Sequence, residues 1–236
     1  MRLDKFLSSM GCCSRSDAKR IVRRGGVTVN GTAAKAVDMP IDPDHDRIVF
    51  EGKQIAYQKY VYIMMNKPEG VVSATEDGRD RTVLDLLPVD ARRAGLFPCG
   101  RLDKNTLGLV LLTDNGELGH RLLAPKSHVT KVYRFASKFP LTAEEAARFE
   151  NGLVLEDGYV TLPAKIDLDP EGDRGFITLT EGKYHQIKRM LESLNNKITY
   201  LERVRFGPLS LDPALVRGEW RYLTEDEIAA LEAHGK

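Results

Sequence analysis

The spacing of apolar residues at the start of the chain predicts two helices. Apolar residues recur at helical spacing over residues 2–10, which indicates a short amphipathic helix. Ser14 or Ser16 can cap a second helix, whose apolar face holds Ile21 and Val22 and which two consecutive glycines end. Most basic side chains of this second helix fall opposite its apolar face. The pattern therefore predicts a small unit with one positive surface.

After these helices the pattern changes to short strands. Residues 27–31 predict a strand running into an Asn-Gly turn, and more short strands follow to about residue 50. Strands dominate from residue 60 onward, with helical patterns at 84–87, 116–123, 143–152, 185–194 and 225–233. We therefore expect an α+β protein with a small N-terminal domain (1–55), a linker (56–59) and a larger domain (60–236) with a mainly antiparallel sheet.

The distribution of charge indicates a polyanionic partner, although the formal net charge of the 236 residues is only +1. Residues 1–31 hold seven basic and two acidic residues, and residues 183–205 hold six basic and two acidic residues. Residues 137–182, in contrast, hold four basic and ten acidic residues. Two basic segments separated by an acidic one suggest a polyanion held along a defined track.

The sequence argues against several classes of protein. The longest apolar runs are far shorter than the ~20 residues of a membrane helix, and the charged start lacks the apolar stretch of a signal peptide. Cys12, Cys13 and Cys99 make an odd set with two neighbours, which does not suit a disulfide framework. The five histidines are scattered, so we expect no metal site. The expected location is the cytoplasm.

The sharpest motif with chemical potential lies in residues 100–116. A polar loop centred on Asp103 runs directly into the buried strand Leu109–Thr113, an arrangement that can hold a reactive carboxylate in fixed geometry. An aspartyl-phosphate phosphatase pattern fails here, because Asn105 takes the place of the second aspartate and Thr106 comes one residue early. The simpler alternative is that Asp103 only caps a turn.

Two further motifs carry candidate functional residues. Residues 181–190 place a glycine turn before a predicted helix with Lys188 and Arg189. Residues 131–134 form an alternating strand in which Tyr133 lies between basic neighbours. Taken alone, Tyr133 is better explained as an ordinary core aromatic than as a functional residue.

The N-terminal motifs resemble the S4 RNA-binding module of the αL type. The matching segments are Arg2–Phe6, Ser14–Arg20 and Gly26–Gly31, in the module's order and spacing. The resemblance implies an RNA partner but no chemistry. The RNA-binding candidates it identifies are basic residues: Arg2, Lys5, Arg15, Lys19, Arg20, Arg23 and Arg24. The alternative is that these residues form an ordinary solvated helix face.

The remaining motifs resemble the pseudouridine synthases of the RsuA-like family, which modify ribosomal RNA. The matching segments, in the family's order, are 66–70, 100–103 with the strand after it, 131–133, 181–189 and 223–228. This resemblance implies a pseudouridine synthase fold with a central catalytic cleft. One departure is Asn105, where many relatives have Asp; it leaves Asp103 as the single candidate carboxylate.

The resemblance also implies roles for individual residues. Asp103 is the expected catalytic aspartate, Tyr133 the active-site tyrosine and Lys188 the basic partner of the aspartate. The expected substrate-binding residues are Arg101, Lys67, His185 and Arg189.

Conversion of uridine to pseudouridine breaks N1–C1′ and joins C5 to C1′, with nothing oxidised and no group lost. No cofactor is expected, in agreement with the lack of a dinucleotide or P-loop motif. An ionised carboxylate can attack a carbon atom or remove a proton. The residues leave open attack at C1′, attack at C6 and a glycal route.

Within the family, the length and residues 211–221 most resemble the enzymes that act on small-subunit (16S) ribosomal RNA, at the uridine numbered 516. The expected partner is this RNA, free or in a pre-ribosomal small-subunit particle, and the expected state is a monomer. Two alternatives remain: an enzyme of large-subunit (23S) RNA, and a non-catalytic RNA-binding assembly factor. A hydrolase is disfavoured, because glycoside hydrolysis normally needs paired carboxylates.

Overall fold

The computed structural model describes residues 1–55, 57 and 59–234, and it divides the chain into two compact units. The first unit is Met1–Val61 with Leu87–Leu96, and the second is Tyr62–Leu86 with Phe97–Lys236. Two residues of the predicted linker, Ala56 and Gln58, lie outside the described residues. The domain boundaries at residues 55 and 60 therefore stay a prediction.

The first unit packs two helices on a small sheet. Its elements are α1 (Leu3–Ser9), α2 (Arg15–Arg23), β1 (Val27–Val29), β2 (Thr32–Ala33), β3 (Ile48–Phe50) and β4 (Lys53–Ile55). The strands are antiparallel in the order β2-β1-β3-β4. The apolar faces of both helices are buried in one core, with Leu3, Phe6 and Leu7 fully inaccessible to solvent.

The local signals read from the sequence of this unit are confirmed. The Ser14 hydroxyl accepts a hydrogen bond from the Asp17 amide at the start of α2. The helix ends before Gly25, whose φ is +78°. Asn30 and Gly31 both have positive φ in the turn between β1 and β2, a conformation that Asn-Gly pairs adopt readily.

The second unit is built on one mixed sheet. Its strands are β5 (Tyr62–Lys67), β6 (Phe97–Cys99), β7 (Leu107–Thr113), β8 (Lys131–Ser137), β9 (Lys165–Leu168), β10 (Arg174–Leu179), β11 (Ile198–Phe206), β12 (Leu209–Ser210) and β13 (Trp220–Tyr222). The main path is β13-β5-β7-β11-β8-β10-β9, with β6 paired to β7 and β12 to β11. All pairings are antiparallel except β7 with β11, so the expected mainly antiparallel sheet is confirmed.

Helices and short 3-10 turns connect these strands. The helices are α3 (Gly116–Leu123), α4 (Ala143–Asn151), α5 (Gln186–Glu192) and α6 (Glu225–Ala233), and the 3-10 turns are Leu84–Leu86, Val89–Ala91 and Pro125–Ser127. Both α4 and α6 begin with a capping box, in which Thr142 pairs with Glu145 and Thr224 with Glu227. In the part of the chain that the structure describes, no helix is long and apolar enough to cross a membrane.

Strand β7 lies near the middle of the sheet and follows the Asp103 loop directly. Its residues Leu109–Leu112 are inaccessible to solvent, which is typical of a strand covered on both faces. Gly108 has φ +97°, and a Cβ atom there would lie 2.3 Å from the carbonyl oxygen of Arg203 on β11. Glycine thus lets β7 approach β11 closely where the loop enters the sheet.

A buried carboxylate joins β8 and β11 to the loop before β13. Glu202 is only 3% exposed; its Oε2 accepts hydrogen bonds from Arg134 at 2.9 and 2.5 Å and from the Tyr200 hydroxyl at 3.0 Å. Arg217 Nη2 forms an ion pair with it at 2.7 Å. Burial alone would raise the pKa of Glu202, but the hydrogen bonds from Arg134, Arg217 and Tyr200 lower it below its ordinary value.

We expect Arg217→Met to weaken the fold in a pH-dependent way. A carboxyl whose pKa is lowered in the folded state adds stability above its unfolded pKa and loses it as pH falls through the folded pKa. The free energy of unfolding should fall by about 1–2 kcal/mol at pH 7, since Arg217 is itself one-third exposed. In urea unfolding experiments from pH 7 to pH 3, the difference in the free energy of unfolding between Arg217→Met and wild type should shrink as the pH falls. Arg148→Met is the control and should not show this trend. A gap independent of pH would contradict this account of Glu202.

Candidate active site

The loop that carries Asp103 is held by the main chain and by neighbouring side chains. The Leu102 amide donates to the Ser73 hydroxyl at 3.1 Å, and the Thr106 amide donates to the Asp103 carbonyl at 3.0 Å. Strand β7 begins at Leu107, so the sheet fixes one end of the loop. A side chain on so short a loop has few alternative positions.

The Asp103 carboxylate meets two basic side chains. Lys188 Nζ on α5 donates to Oδ2 at 2.6 Å, and His185 Nε2 lies 3.5 Å from Oδ1. The side chains of Asp103 and Lys188 are both 28% exposed, so solvent screens this pair less than it would a surface pair. The expected partnership of Asp103 with Lys188 is thus present in the geometry.

The turn-cap explanation of Asp103 does not fit this geometry. The turn closes through the Asp103 carbonyl rather than through its carboxylate. Over residues 1–55, 57 and 59–234, no backbone amide is recorded as a donor to either carboxylate oxygen. The carboxylate therefore faces the cleft and is not used to build the loop.

A cleft opens around this carboxylate. Four other residues predicted to act at the site line it: Arg101, Tyr133, His185 and Lys188. Tyr133 lies on β8 and is 8% exposed, so its ring forms part of the cleft wall. Residues far apart in sequence therefore meet at one place, as the motifs predict.

Lys67 does not reach the cleft. Its side chain is fully buried, and Nζ donates to the carbonyl oxygens of Pro68 at 3.0 Å, Lys104 at 3.0 Å and Thr106 at 2.8 Å. Burial lowers the pKa of Lys67 to about 8, although the nearby Asp103 opposes this shift. The geometry places Lys67 beneath the Asp103 loop, bound to main-chain carbonyl oxygens, and not at the predicted contact with substrate.

Arg189 also lies away from the cleft. Its guanidinium forms an ion pair with Asp157 at 2.5 Å, on a surface shared with residues 154–156. Neighbouring residues on a helix point about 100° apart, so a helix that turns Lys188 toward Asp103 turns Arg189 elsewhere. The structure therefore does not bring Arg189 to the substrate cleft.

Sequence reasoning did not identify the residues that hold the turn before α5. Glu181 accepts hydrogen bonds from the Leu162 amide at 2.8 Å, Gln186 Nε2 at 2.6 Å and the Tyr159 hydroxyl at 2.8 Å. The Lys183 amide donates to Gln186 Oε1 at 2.9 Å. Glu181 and Gln186 lie inside a recognised motif, but only the fold shows that they build the turn.

In the first unit, basic side chains gather on an exposed surface of α2. This surface is formed by Ser16, Lys19, Arg20, Arg23 and Arg24. Arg20 pairs with Asp17 at 3.0 Å, and Arg24 pairs with Glu51.

The other residues of this unit that are predicted to bind RNA are exposed as well. Arg2 pairs with Asp4 at 3.0 Å, while Lys5 and Arg15 face solvent. In the described part of the chain, no carboxylate is recorded at ion-pair distance from Arg15, Lys19 or Arg23. These three cations are available to phosphate groups.

The cleft can support chemistry by a carboxylate on a ring-shaped substrate. Asp103 supplies an anion, Lys188 stabilises it, and Tyr133 supplies an aromatic wall for a planar base. Within the described ranges, no group of three or more His, Cys, Asp or Glu side chains is placed to hold a metal ion.

Comparison with protein families gives two matches that together cover most of the chain. The RNA pseudouridylate synthase family matches residues 61–193, and the S4 domain family matches residues 1–48. The first match includes the Asp103 loop, Tyr133 and α5.

Individual relatives match over nearly their whole length. The chain is 46% identical to an uncharacterized RNA pseudouridine synthase of Bacillus subtilis, over 98% of each chain. It is 39% identical to ribosomal small subunit pseudouridine synthase A of Vibrio cholerae, over 98% of this chain and 99% of that protein. A crystal structure of a pseudouridylate synthase matches with a TM-score of 0.67 and 35% identity, over 98% of this chain and 99% of that one.

Proposed function

We propose, since this chain belongs to the family of RNA pseudouridine synthases, that it converts one uridine of small-subunit ribosomal RNA to pseudouridine. The observation that carries the proposal is the Asp103–Lys188 pair in a cleft walled by Tyr133. The proposed target is uridine 516 of 16S RNA.

Similarity to named relatives supports the choice of the small subunit. The Vibrio cholerae protein, whose name states the small subunit, aligns over almost the full length of both chains. The match therefore includes both the RNA-binding unit and the catalytic unit, which together would select the RNA.

The geometry also favours one oxygen of Asp103 as the reacting atom. Oδ2 is engaged by Lys188 at 2.6 Å, whereas Oδ1 lies 3.5 Å from His185 and keeps lone pairs for a substrate. Lys188 then stabilises the ionised form of the carboxylate while Oδ1 attacks a carbon atom or removes a proton. Attack at C1′, attack at C6 and the glycal route all use this oxygen.

The isomerisation balances within the nucleotide itself. The N1–C1′ bond breaks, the uracil turns, C5 bonds to C1′, the proton of C5 is released to solvent, and N1 takes up a proton from solvent. The target uridine must first leave its stack in the RNA, at a cost of a few kcal/mol. The ring of Tyr133 can hold the extruded uracil by stacking, and Arg101 at the cleft can contact the RNA backbone.

The enzymatic test uses purified protein and 5-³H-uridine-labelled RNA. We expect tritium release of one equivalent from small-subunit RNA and none from large-subunit RNA, with assembling small-subunit particles tested in parallel. Release only from large-subunit RNA would overturn the proposed target. Binding without release from any RNA would favour a non-catalytic assembly factor.

We expect the basic surface of α2 to contribute electrostatic RNA binding. Each phosphate contact adds a slope of about −0.7 to a plot of log affinity against log salt for single strands. In the full-length protein, Arg23→Gln should weaken binding and reduce the slope by about that amount. The control is Arg148→Gln on α4, which should keep the wild-type slope. An unchanged slope in Arg23→Gln would remove this face from the RNA contact.

A further inference from the structure

An exposed aromatic ring lies beside the catalytic cleft and has no role in the chemistry above. Tyr184 is 77% exposed, although its two chain neighbours, Lys183 and His185, both line the cleft. Its ring lies nearly parallel to the imidazole of His185, with centroids 3.9 Å apart and an interplanar angle of 17°. His185 in turn lies 3.5 Å from Asp103 Oδ1. The two rings therefore form a stack that extends outward from the catalytic carboxylate.

The turn that carries Tyr184 is firmly held. Glu181 and Gln186 bind each other at 2.6 Å, and Gln186 accepts from the Lys183 amide at 2.9 Å. His185 has φ +49°, a left-handed conformation that residues other than glycine seldom adopt. Since the stack on His185 also restrains the ring, little conformational entropy is left for a ligand to remove.

The exposure of Tyr184 is greater than that of other exposed aromatic residues. Phe139 is 51% exposed and lies beneath the Lys138 ammonium, and Tyr222 is 46% exposed and packs edge-on against Trp220. Tyr184 is covered by a ring on one face, which leaves the opposite face to solvent. An uncharged, flat and fixed surface of this kind suits a nucleobase.

We propose that the outer face of Tyr184 stacks on an unpaired nucleobase adjacent to the uridine that enters the cleft. Extrusion of the uridine leaves its neighbour without a stacking partner, and Tyr184 would replace that partner. Lys183, the residue before Tyr184, also lines the cleft, and its ammonium can contact the phosphate that joins the stacked nucleotide to the uridine. Tyr184 thus acts as a positioning residue that aligns the RNA with Asp103. This inference rests on the proposed function, because the proposed target determines which RNA is used in the test.

The experiment combines kinetics with a fluorescent base. The RNA is a small-subunit fragment that contains the proposed target uridine, labelled with 5-³H-uridine, with 2-aminopurine placed 5′ or 3′ of that uridine. Wild-type protein should quench one of the two probes by stacking. Tyr184→Ala should lose this quenching and raise KM by about 10- to 100-fold, with a much smaller change in kcat. Tyr184→Phe keeps the ring and should show the quenching and the KM of wild type. Phe139→Ala, the control, should also resemble wild type.

The outcomes separate a failure of the proposed substrate from a failure of the stacking proposal. If wild-type protein releases no tritium from this RNA, the proposed substrate is wrong. If wild-type protein is active and Tyr184→Ala keeps the wild-type KM and quenching, the stacking proposal is wrong. A fall in kcat with unchanged KM would also overturn it, because Tyr184 would then act only through His185.

Discussion

Asp103→Asn should fold, bind ribosomal RNA about as tightly as wild type and form no detectable pseudouridine. The amide keeps the size of the side chain, and the turn closes through the main-chain carbonyl, so the loop should survive. The amide has no charge and no lone pair of comparable basicity, so it cannot serve as a nucleophile or base. The measurement is tritium release from 5-³H-uridine RNA beside filter binding on the same preparation.

The matched control for this variant is Asp167→Asn. Asp167 also pairs with a lysine at 2.6 Å, Lys165, but it lies on β9 and does not line the cleft. It should keep wild-type activity. Tritium release by Asp103→Asn near the wild-type rate would show that Asp103 has no chemical role.

Lys188→Met should keep the fold and reduce turnover at pH 7 by roughly 100-fold or more, as for the loss of other preorganised groups that stabilise charge. The variant removes the ammonium that lies 2.6 Å from Oδ2, so the Asp103 carboxylate loses the cation that holds it in place in the cleft.

Single-turnover rates at pH 7 test this expectation, and Lys188→Arg is the variant that keeps the charge. Lys188→Arg should retain more activity than Lys188→Met at neutral pH. A Lys188→Met protein with the wild-type rate would remove Lys188 from the mechanism.

The parts of the fold set by local signals were predictable. The cap at Ser14, the Asn-Gly turn at 30–31 and the capped helix that begins at Glu225 depend on residues close in sequence. The parallel pairing of β7 with β11 was not predictable from local signals, because it joins segments about 95 residues apart and depends on close approach at Gly108.

The site shows the same division. Motif resemblance pointed to Asp103, Tyr133 and Lys188, and the fold brings all three to one cleft. The resemblance could not separate direct contacts from supports. Burial shows that Lys67 holds carbonyl oxygens beneath the loop, and helix geometry turns Arg189 toward Asp157.

The most direct test of the central claim is a single-nucleotide pseudouridine map of ribosomal RNA from cells that carry either wild-type protein or Asp103→Asn at equal abundance. We expect one pseudouridine of small-subunit RNA, at position 516, to be present with wild type and absent with the variant, while every other site is unchanged. Identical maps, or a loss confined to large-subunit RNA, would contradict it.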